Sequence, residues 1–310
     1  MRAAVLALLA LAGCSAVPAR EAVRVPPTIV SLNPCTDAIL IEVADPAQLL
    51  AISSYSHDPA SSSVDQATAR RFAATRGTVE EVLALQPDVV IDGTFTAPAT
   101  RSAMARLGLR LEQEGMAATV PDSIAQVRRL AALAGHPERG EALARRIETA
   151  MAQARAEGPP VSAIVWQSGG IVAGQGTLID DLLTRTGFSN MAAARGLQQA
   201  SHLPLEAMLA GPPRVILAAG NRFGNEDRLL RHPALARLSG TVRARFEPSL
   251  LWCGGPTIVA AAARLAAVRR SILKPLPFRG GVGVGIVSQP QRQPDSPHPL
   301  APSPKEEGEL

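Results

Sequence analysis

The sequence predicts an α/β protein of two lobes with parallel sheets, joined by a helical connector. Short apolar strands alternate with helices in residues 28–111 and again in residues 162–218, which is the pattern of a parallel sheet covered by helices. Between them, residues 122–157 contain only Ala-, Arg- and Leu-rich helical sequence, interrupted at Gly135-His136-Pro137. A connector between two lobes is the economical interpretation.

In the first lobe each predicted element ends at a turn-forming or helix-breaking residue. The opening strand stops at Asn33-Pro34, the second strand runs into a Ser-rich loop, and the helix after that loop stops at Gln86-Pro87. The predicted order is strand 29–32, helix 36–43, strand 49–53, helix 79–85, strand 89–91, helix 99–107 and a strand near 109–111.

The second lobe is predicted to begin after Gly158-Pro159-Pro160, which ends the connector. A strand at 162–166 is followed by a Gly-rich loop, and two helices and a further strand complete the pattern. The helices are predicted at 178–186 and 205–209, and the strand at 215–218.

The two lobes share an internal echo, because residues 78–91 align without gaps with residues 204–217. Each segment has a Glu at the start of a short helix, a Pro seven residues later and then a buried strand. The two glutamates are Glu80 and Glu206. The echo indicates equivalent connections in two related lobes, although any α/β lobe repeats helix-to-strand connections and chance similarity is the alternative.

The first residues predict export. Arg2 precedes the apolar run 3–13, which is too short to span a bilayer, since spanning takes about 20 residues. Leu11-Ala12-Gly13-Cys14 resembles the bacterial lipobox, whose cysteine is diacylated and becomes the new N-terminus. We therefore expect a periplasmic protein anchored to the cell envelope through Cys14. The alternative is ordinary cleavage nearby, after Ala16 or before Glu21.

The end of the chain predicts a segment without a core. After Leu273 the composition shifts to Pro and Gly with no periodic apolar face. Burial of apolar surface would therefore not offset the conformational entropy that this segment would lose on folding. A functional Pro-rich linker or docking tail is the alternative. The predicted organisation is a signal peptide and short linker at 1–22, a first lobe at 23–120, connecting helices at 121–158, a second lobe at 159–272 and a disordered tail at 273–310.

Charge and motifs exclude several function classes. The formal net charge is +4, and the basic residues are dispersed among acids, so no nucleic-acid surface is predicted. The five histidines form no zinc motif, and Gly169–Gly176 lacks the P-loop signature. No dinucleotide fingerprint, nucleophile elbow or pair of carboxylates follows a strand. We therefore expect a protein that is not an enzyme and has no cofactor or bound metal of its own.

Candidate ligand-binding residues follow the strands, because ligands of open parallel sheets sit beyond the carboxyl ends of the strands. Aromatic side chains suit flat ligands there, although they could instead cap the lobes' cores. His57 could coordinate a chelated metal or only form a hydrogen bond, and Arg222 could pair with a ligand carboxylate or phosphate or be solvated. The candidates are Cys35, Tyr55, His57, Phe95, Trp166, Arg222, Trp252 and Cys253.

Cys35 and Cys253 each lie in a loop after a strand, one in each lobe. We expect them to face one another across the cleft. Three outcomes are open: a soft contact to a metal or corrinoid, a disulfide bridge between the lobes, or two unrelated buried thiols.

Four motifs together resemble the metal-chelate class of periplasmic binding proteins, which serve ATP-driven importers of cobalamin, haem and ferric siderophores. The motifs are residues 29–34, 52–59, 77–91 and 173–183, and the resemblance covers residues 25–272. It implies the class III architecture, in which two Rossmann-like lobes are joined by a long rigid helix, here centred on residues 141–156. The loop at 251–256 departs from the cobalamin-binder pattern and leaves the chelate open.

The resemblance also implies a role and its partners. The protein would capture a metal chelate between its lobes as a monomer and deliver it to an ABC permease dimer with its ATPase. Glu80 and Glu206 would dock onto arginines of that permease, one on each lobe. Each Glu could also merely complement the positive end of its helix. A two-lobed enzyme and a lipid-anchored ligand sensor are the competing functions.

Overall fold

The computed structural model describes residues 25–220 and 231–273, which include both predicted lobes. The chain divides at Pro275 into two units, of which the first extends to Lys274. Cys14, Arg222 and the predicted tail from Lys274 onward lie outside the described residues. No helix within the described ranges is long and apolar enough to cross a bilayer.

The first lobe contains a five-stranded parallel sheet in the order β3-β2-β1-β4-β5. Its central strands β1 and β4 are buried along their whole length, as expected of apolar strands that helices cover on both faces. The strands are β1 (Ile29–Ser31), β2 (Leu49–Ser53), β3 (Ala74–Thr75), β4 (Val89–Gly93) and β5 (Leu111–Glu114). The helices are α1 (Pro34–Val43), α2 (Gln66–Ala69), α3 (Val79–Leu85) and α4 (Pro98–Arg106).

The second lobe contains a six-stranded sheet in the order β11-β10-β6-β7-β9, with β8 beside the first half of β6. Its strands are β6 (Val161–Gln167), β7 (Ile171–Val172), β8 (Phe188–Asn190), β9 (Ser201–His202), β10 (Val215–Ala219) and β11 (Val242–Arg245). Its helices are α7 (Leu178–Arg185), α8 (Met191–Ala194), α9 (Leu205–Ala210), α10 (Pro233–Ala236) and α11 (Thr257–Leu273).

The two-lobed α/β architecture is confirmed, but the second sheet is mixed rather than wholly parallel. Strands β7 and β9 are antiparallel to their neighbours. The physical reason is a tight reversal directly after β6, where Gly169 and Gly170 adopt φ of 71° and 82°. A chain that turns back at once pairs antiparallel, because a parallel partner needs a crossover of a dozen or more residues.

The connector consists of α5 (Val120–Leu133) and α6 (Pro137–Ala154), and a tight turn joins the two helices. Thr119 and Asp122 form a capping box at the start of α5, and Gly135 supplies the left-handed turn at its end. Helix α6 packs against α5 and α1 and also against α11 of the second lobe. One apolar core therefore runs from the first lobe through the connector into the second.

The internal echo is confirmed as a structural repeat. Helix α3 leads into β4 and helix α9 leads into β10, at the aligned positions. Strand β4 pairs in parallel with the lobe's first strand β1, and β10 pairs in the same way with β6. Glu80 and Glu206 consequently occupy the first turns of equivalent helices.

Candidate ligand-binding cleft

A cavity of about 810 Å³ lies between the lobes at the carboxyl ends of the strands. Its size falls in the range of small-molecule sites, and its position follows the rule for open parallel sheets. The first lobe contributes Leu32–Cys35, Tyr55, Gly93 and residues 95–97, and the second contributes Gln167, residues 171–173, residues 176–179 and Trp252. The cavity therefore has a wall from each lobe.

Large apolar side chains are exposed inside this cleft. Five of the eight large hydrophobic residues exposed in the described chain line it, so exposure is concentrated at one place. Phe95 is 82% exposed and Tyr55 62% on the first lobe, and Trp252 is 44% exposed on the second. Met116 and Ile171 are the other two. A concentration of this kind marks a binding surface rather than a scattered set of surface residues.

Charge is sparse in the cleft. Arg76 is the one charged residue among the described residues that line it, and its guanidinium makes no hydrogen bond or ion pair with the described chain. Hydrogen-bonding capacity comes instead from amide and hydroxyl side chains, among them those of Asn33, Gln167, Gln199 and Tyr55. The arrangement can bind a mostly apolar molecule that presents few anionic groups.

Tyr55 is positioned by a buried carboxylate behind the cleft wall. It lies on the single 3₁₀ turn Ser54–His57 that follows β2. Asp37 in α1 accepts hydrogen bonds from Ser53 N at 2.9 Å and from Ser56 Oγ at 2.6 Å, which fastens the turn at both ends. Burial raises the pKa of Asp37 to about 7, against the opposing effect of hydrogen bonds from neighbouring serines.

The pKa of Asp37 predicts a pH-dependent stability. The unfolded carboxyl ionises near pH 4, so between about pH 4 and 7 the folded protein holds one more proton than the unfolded chain. The contribution of Asp37 to the free energy of unfolding is therefore fully present below pH 4 and is lost as the pH rises through 7. Between pH 5 and pH 8 the free energy of unfolding should fall by about 2–3 kcal/mol. Asp37→Asn, which retains an acceptor oxygen for both serines, is expected to remove this loss. Denaturant unfolding of the wild type and the variant at pH 5 and at pH 8 measures this change in stability.

Asp92→Asn is the matched control, because Asp92 is also buried but forms an ion pair with Arg101 at 2.8 Å. Removing that charge leaves the guanidinium without its partner, so this variant should be less stable than the wild type at pH 8. If Asp37→Asn and the wild type keep the same difference in stability at both pH values, the folded carboxyl is not protonated near neutrality.

Cys35 and Cys253 form a disulfide that joins the lobes. Cys35 lies in the first turn of α1 and lines the cleft, whereas Cys253 is buried in the loop before α11. Their Cα atoms are 4.9 Å apart, within the range for a bridge. Of the three outcomes left open by the sequence, the structure has the bridge.

Three of the predicted contact residues do not line the cleft, and one of them, Cys253, is the buried partner in the bridge. Trp166 is fully buried within β6, where it packs with Met191, Met208 and Leu235 in the core of the second lobe, so the prediction that it faces a ligand is wrong. Its side chain points to the helix-covered face of the sheet because it lies within the strand rather than beyond its end. His57 does not line the cavity, and its Nε2 atom is buried without a hydrogen-bond partner among the described residues.

Sequence reasoning missed Arg76, Met116 and Ile171. Arg76 follows β3 and Ile171 opens β7, and both strands have only two residues, too few for a periodic signal. Met116 follows β5 in a short loop that continues to Thr119. The sequence signal that could have identified Met116 is an apolar residue in the loop that follows a strand. In residues 25–220 and 231–273, no cluster of three or more His, Cys, Asp or Glu side chains could hold a metal ion.

The chain is similar to known periplasmic proteins in both sequence and structure. The family model described as "Periplasmic binding protein" matches residues 29–245. Among solved structures, a periplasmic heme-binding protein from Pseudomonas aeruginosa is 24% identical with a TM-score of 0.62, and covers 81% of this chain and 95% of its own. The periplasmic heme-binding protein RhuT from Roseiflexus sp. RS-1 is 23% identical with a TM-score of 0.63, covering 80% and 98%.

The periplasmic vitamin B12 binding protein BtuF of Vibrio cholerae is 19% identical with a TM-score of 0.64, covering 81% of this chain and 99% of its own. These similarities show a shared fold. A comparison with curated protein sequences gives no match.

Proposed function

Because this chain belongs to the periplasmic binding protein family, we propose that it is the solute-binding component of an ABC importer and that its ligand is a flat metal chelate of the tetrapyrrole type. The observation that carries the proposal is the cleft wall. Tyr55 and Phe95 on one lobe and Trp252 on the other expose their rings into one cavity, and a flat macrocycle gains contact area against such rings.

Charge favours a tetrapyrrole over a ferric siderophore of the catecholate kind. A ligand with several negative charges needs several cations in its site, and Arg76 is the one cation on the described lining. A macrocycle with one or two carboxylates could pair with Arg76. A corrinoid's amides could use the side chains of Asn33, Gln167 and Gln199. Of the three solved structures compared above, two are named for heme and one for vitamin B12.

The cargo's metal could be approached by two side chains of the cleft. Tyr55 offers a phenolic oxygen and Met116 a thioether, and both are exposed to the cavity. The described lining carries no imidazole, because His57 is not among the residues that line the cavity. Either donor could contact an open axial position of a bound chelate.

A titration tests the proposal directly. Purified exported protein is mixed with hemin, cyanocobalamin or a ferric catecholate siderophore, and absorbance and thermal stabilisation are recorded. We expect one tetrapyrrole to bind at a ratio of one to one. Trp252→Ala should weaken binding by about tenfold or more, while Leu107→Ala, which removes an exposed residue away from the cavity, should leave affinity unchanged. Failure of every tetrapyrrole to bind would refute the proposal.

Glu80 and Glu206 are proposed as the permease contacts. Both are exposed, and neither carboxylate forms a hydrogen bond or ion pair with a described residue. The adjacent Glu81 differs, because its carboxylate accepts hydrogen bonds from Thr75 Oγ1 and Arg76 N, each at 2.7 Å. Two unengaged carboxylates at equivalent helix starts, one on each lobe, supply the matched pair that a two-fold partner requires.

Export and anchoring through Cys14 complete the proposal. A solute-binding protein held at the membrane stays near its permease, and the lipobox-like end of a short apolar run supports such an anchor. Mass spectrometry of the protein from the cell envelope is expected to show a diacylglyceryl group on an N-terminal Cys14. A mature protein beginning farther along the chain, without lipid, would contradict this expectation.

A further inference from the structure

A loop of the second lobe is fastened to the first lobe along one side of the cleft. We call residues 249–255 the crossing loop. Besides the bond from Cys253 to Cys35, Ser63 Oγ donates a hydrogen bond to Ser249 O at 2.6 Å, and Gly255 N donates to Ser123 Oγ at 2.7 Å. One covalent bond and two hydrogen bonds therefore hold these seven residues against the first lobe and the connector.

Two glycines let the crossing loop lie this close. A side chain on Gly254 would overlap Ser123 of α5, and one on Gly255 would overlap Ile39 of α1. Gly255 also has a φ of 58°, in the left-handed region that favours glycine. The loop is thus pressed into the surface formed by α1 and α5, and it has little room to shift while its attachments remain.

Trp252 belongs to this loop and forms part of the cleft wall. It directly precedes Cys253, and its carbonyl oxygen lies 3.2 Å from the Sγ atom of Cys35. Trp252 is 44% exposed and lines the same cavity as Tyr55 and Phe95, which belong to the first lobe. The bridge therefore sets both where Trp252 sits and how far apart the lobes are on this side.

We propose that the Cys35–Cys253 bridge is a positioning element of the cleft: it fixes the cleft's width and holds Trp252 as a preformed wall, so that a bound ligand is retained without closure of the lobes. The part concerning retention rests on the proposed function. A preformed wall lowers the ordering cost of binding, and its loss is expected mainly in the dissociation rate.

Opening the bridge takes two electrons and two protons, which a dithiol reductant supplies. Cys35 is half-buried and faces the cleft, whereas Cys253 is buried, so the accessible sulfur is that of Cys35. A thiolate attacks Cys35 Sγ, Cys253 leaves and takes up a proton, and the reductant's second thiol then releases Cys35 as it closes its own disulfide. A bound ligand covers Cys35, so it should slow this reduction.

The test compares the wild type with the Cys35→Ser/Cys253→Ser variant. Dissociation of hemin or cyanocobalamin into an excess of a scavenger protein is followed by absorbance. We expect dissociation to be about tenfold faster or more in the variant, with association little changed. Wild-type protein that is reduced with dithiothreitol before the ligand is added should release it at the variant's rate, and the same treatment should not affect the variant. Saturating ligand should slow reduction of the oxidised wild type.

A second readout needs no ligand. Hydrogen exchange in residues 249–255 and the emission of Trp252, assigned with Trp252→Phe, should show a faster-exchanging loop and a more solvated ring once the bridge is open. Should the serine variant not fold, wild-type protein reduced under native conditions and blocked at both thiols gives the same measurements. Unchanged exchange, emission and dissociation in folded, bridge-free protein would overturn the positioning role. Absence of any chelate binding by the wild type would instead refute the proposed function.

Discussion

Replacing Glu80 and Glu206 together by arginine is expected to abolish uptake while leaving ligand affinity and melting temperature almost unchanged. Both side chains are exposed, and neither carboxylate forms a hydrogen bond or ion pair with a described residue. Their loss therefore removes mainly the favourable interaction with each helix N-terminus, about 0.3–1 kcal/mol apiece. A permease that presents arginines to both sites would meet repulsion at each, and charge repulsion at an interface disfavours association strongly. Transport assays in whole cells and binding titrations on the purified variant measure the two effects.

Glu81→Arg is the matched control for this experiment, since it reverses a charge one residue away from Glu80. Hydrogen bonds from Thr75 and Arg76 hold the pKa of Glu81 below its usual range, so its carboxylate supports the local structure. We expect this variant to melt at a lower temperature and to transport in proportion to the folded protein that remains. Normal uptake by the Glu80→Arg/Glu206→Arg variant would show that the permease does not use these residues.

The elements that the sequence predicts well are those with a long local signal. Strands β1, β2, β4, β6 and β10 are apolar runs bounded by Pro, Gly or Asn, and the structure places them within one or two residues of the predicted ends. Strands β3, β7 and β9 have two residues each, and their pairing depends on tertiary neighbours. Helix α11 was missed although its signal was present: Ile258, Ala261, Ala262 and Leu265 repeat at helical spacing.

The same distinction applies to the candidate site. Tyr55, Phe95 and Trp252 could be placed at the cleft because each follows a strand or lies in a loop at the carboxyl edge. The topology of a parallel sheet brings such loops together. Trp166 does not meet this rule, because it is the last residue but one of β6. The pairing of Cys35 with Cys253 could not be decided from the sequence, because it depends on how the lobes are set against one another.

Replacing both bridge cysteines by serine is expected to lower the free energy of unfolding by about 4–5 kcal/mol. The bridge joins residues 218 positions apart, so it removes a large closed loop from the unfolded ensemble, and the chain-entropy relation for such a loop gives roughly 5 kcal/mol at 25 °C. Serine is close in size to cysteine, so little further loss from packing is expected. The slope of stability against denaturant should increase, since the unfolded chain exposes more surface without a cross-link.

Guanidinium unfolding followed by circular dichroism measures this loss, with reduced wild-type protein as the control that keeps both cysteines. Reduction should move the wild-type midpoint to that of the serine variant, and reductant should not affect the variant. The comparison separates the covalent link from the side chains that form it, because only the link differs between the oxidised and reduced wild type. If the oxidised wild type and the serine variant unfold at the same denaturant concentration, the bridge contributes no stability and the crossing loop is held by its hydrogen bonds and glycine packing alone.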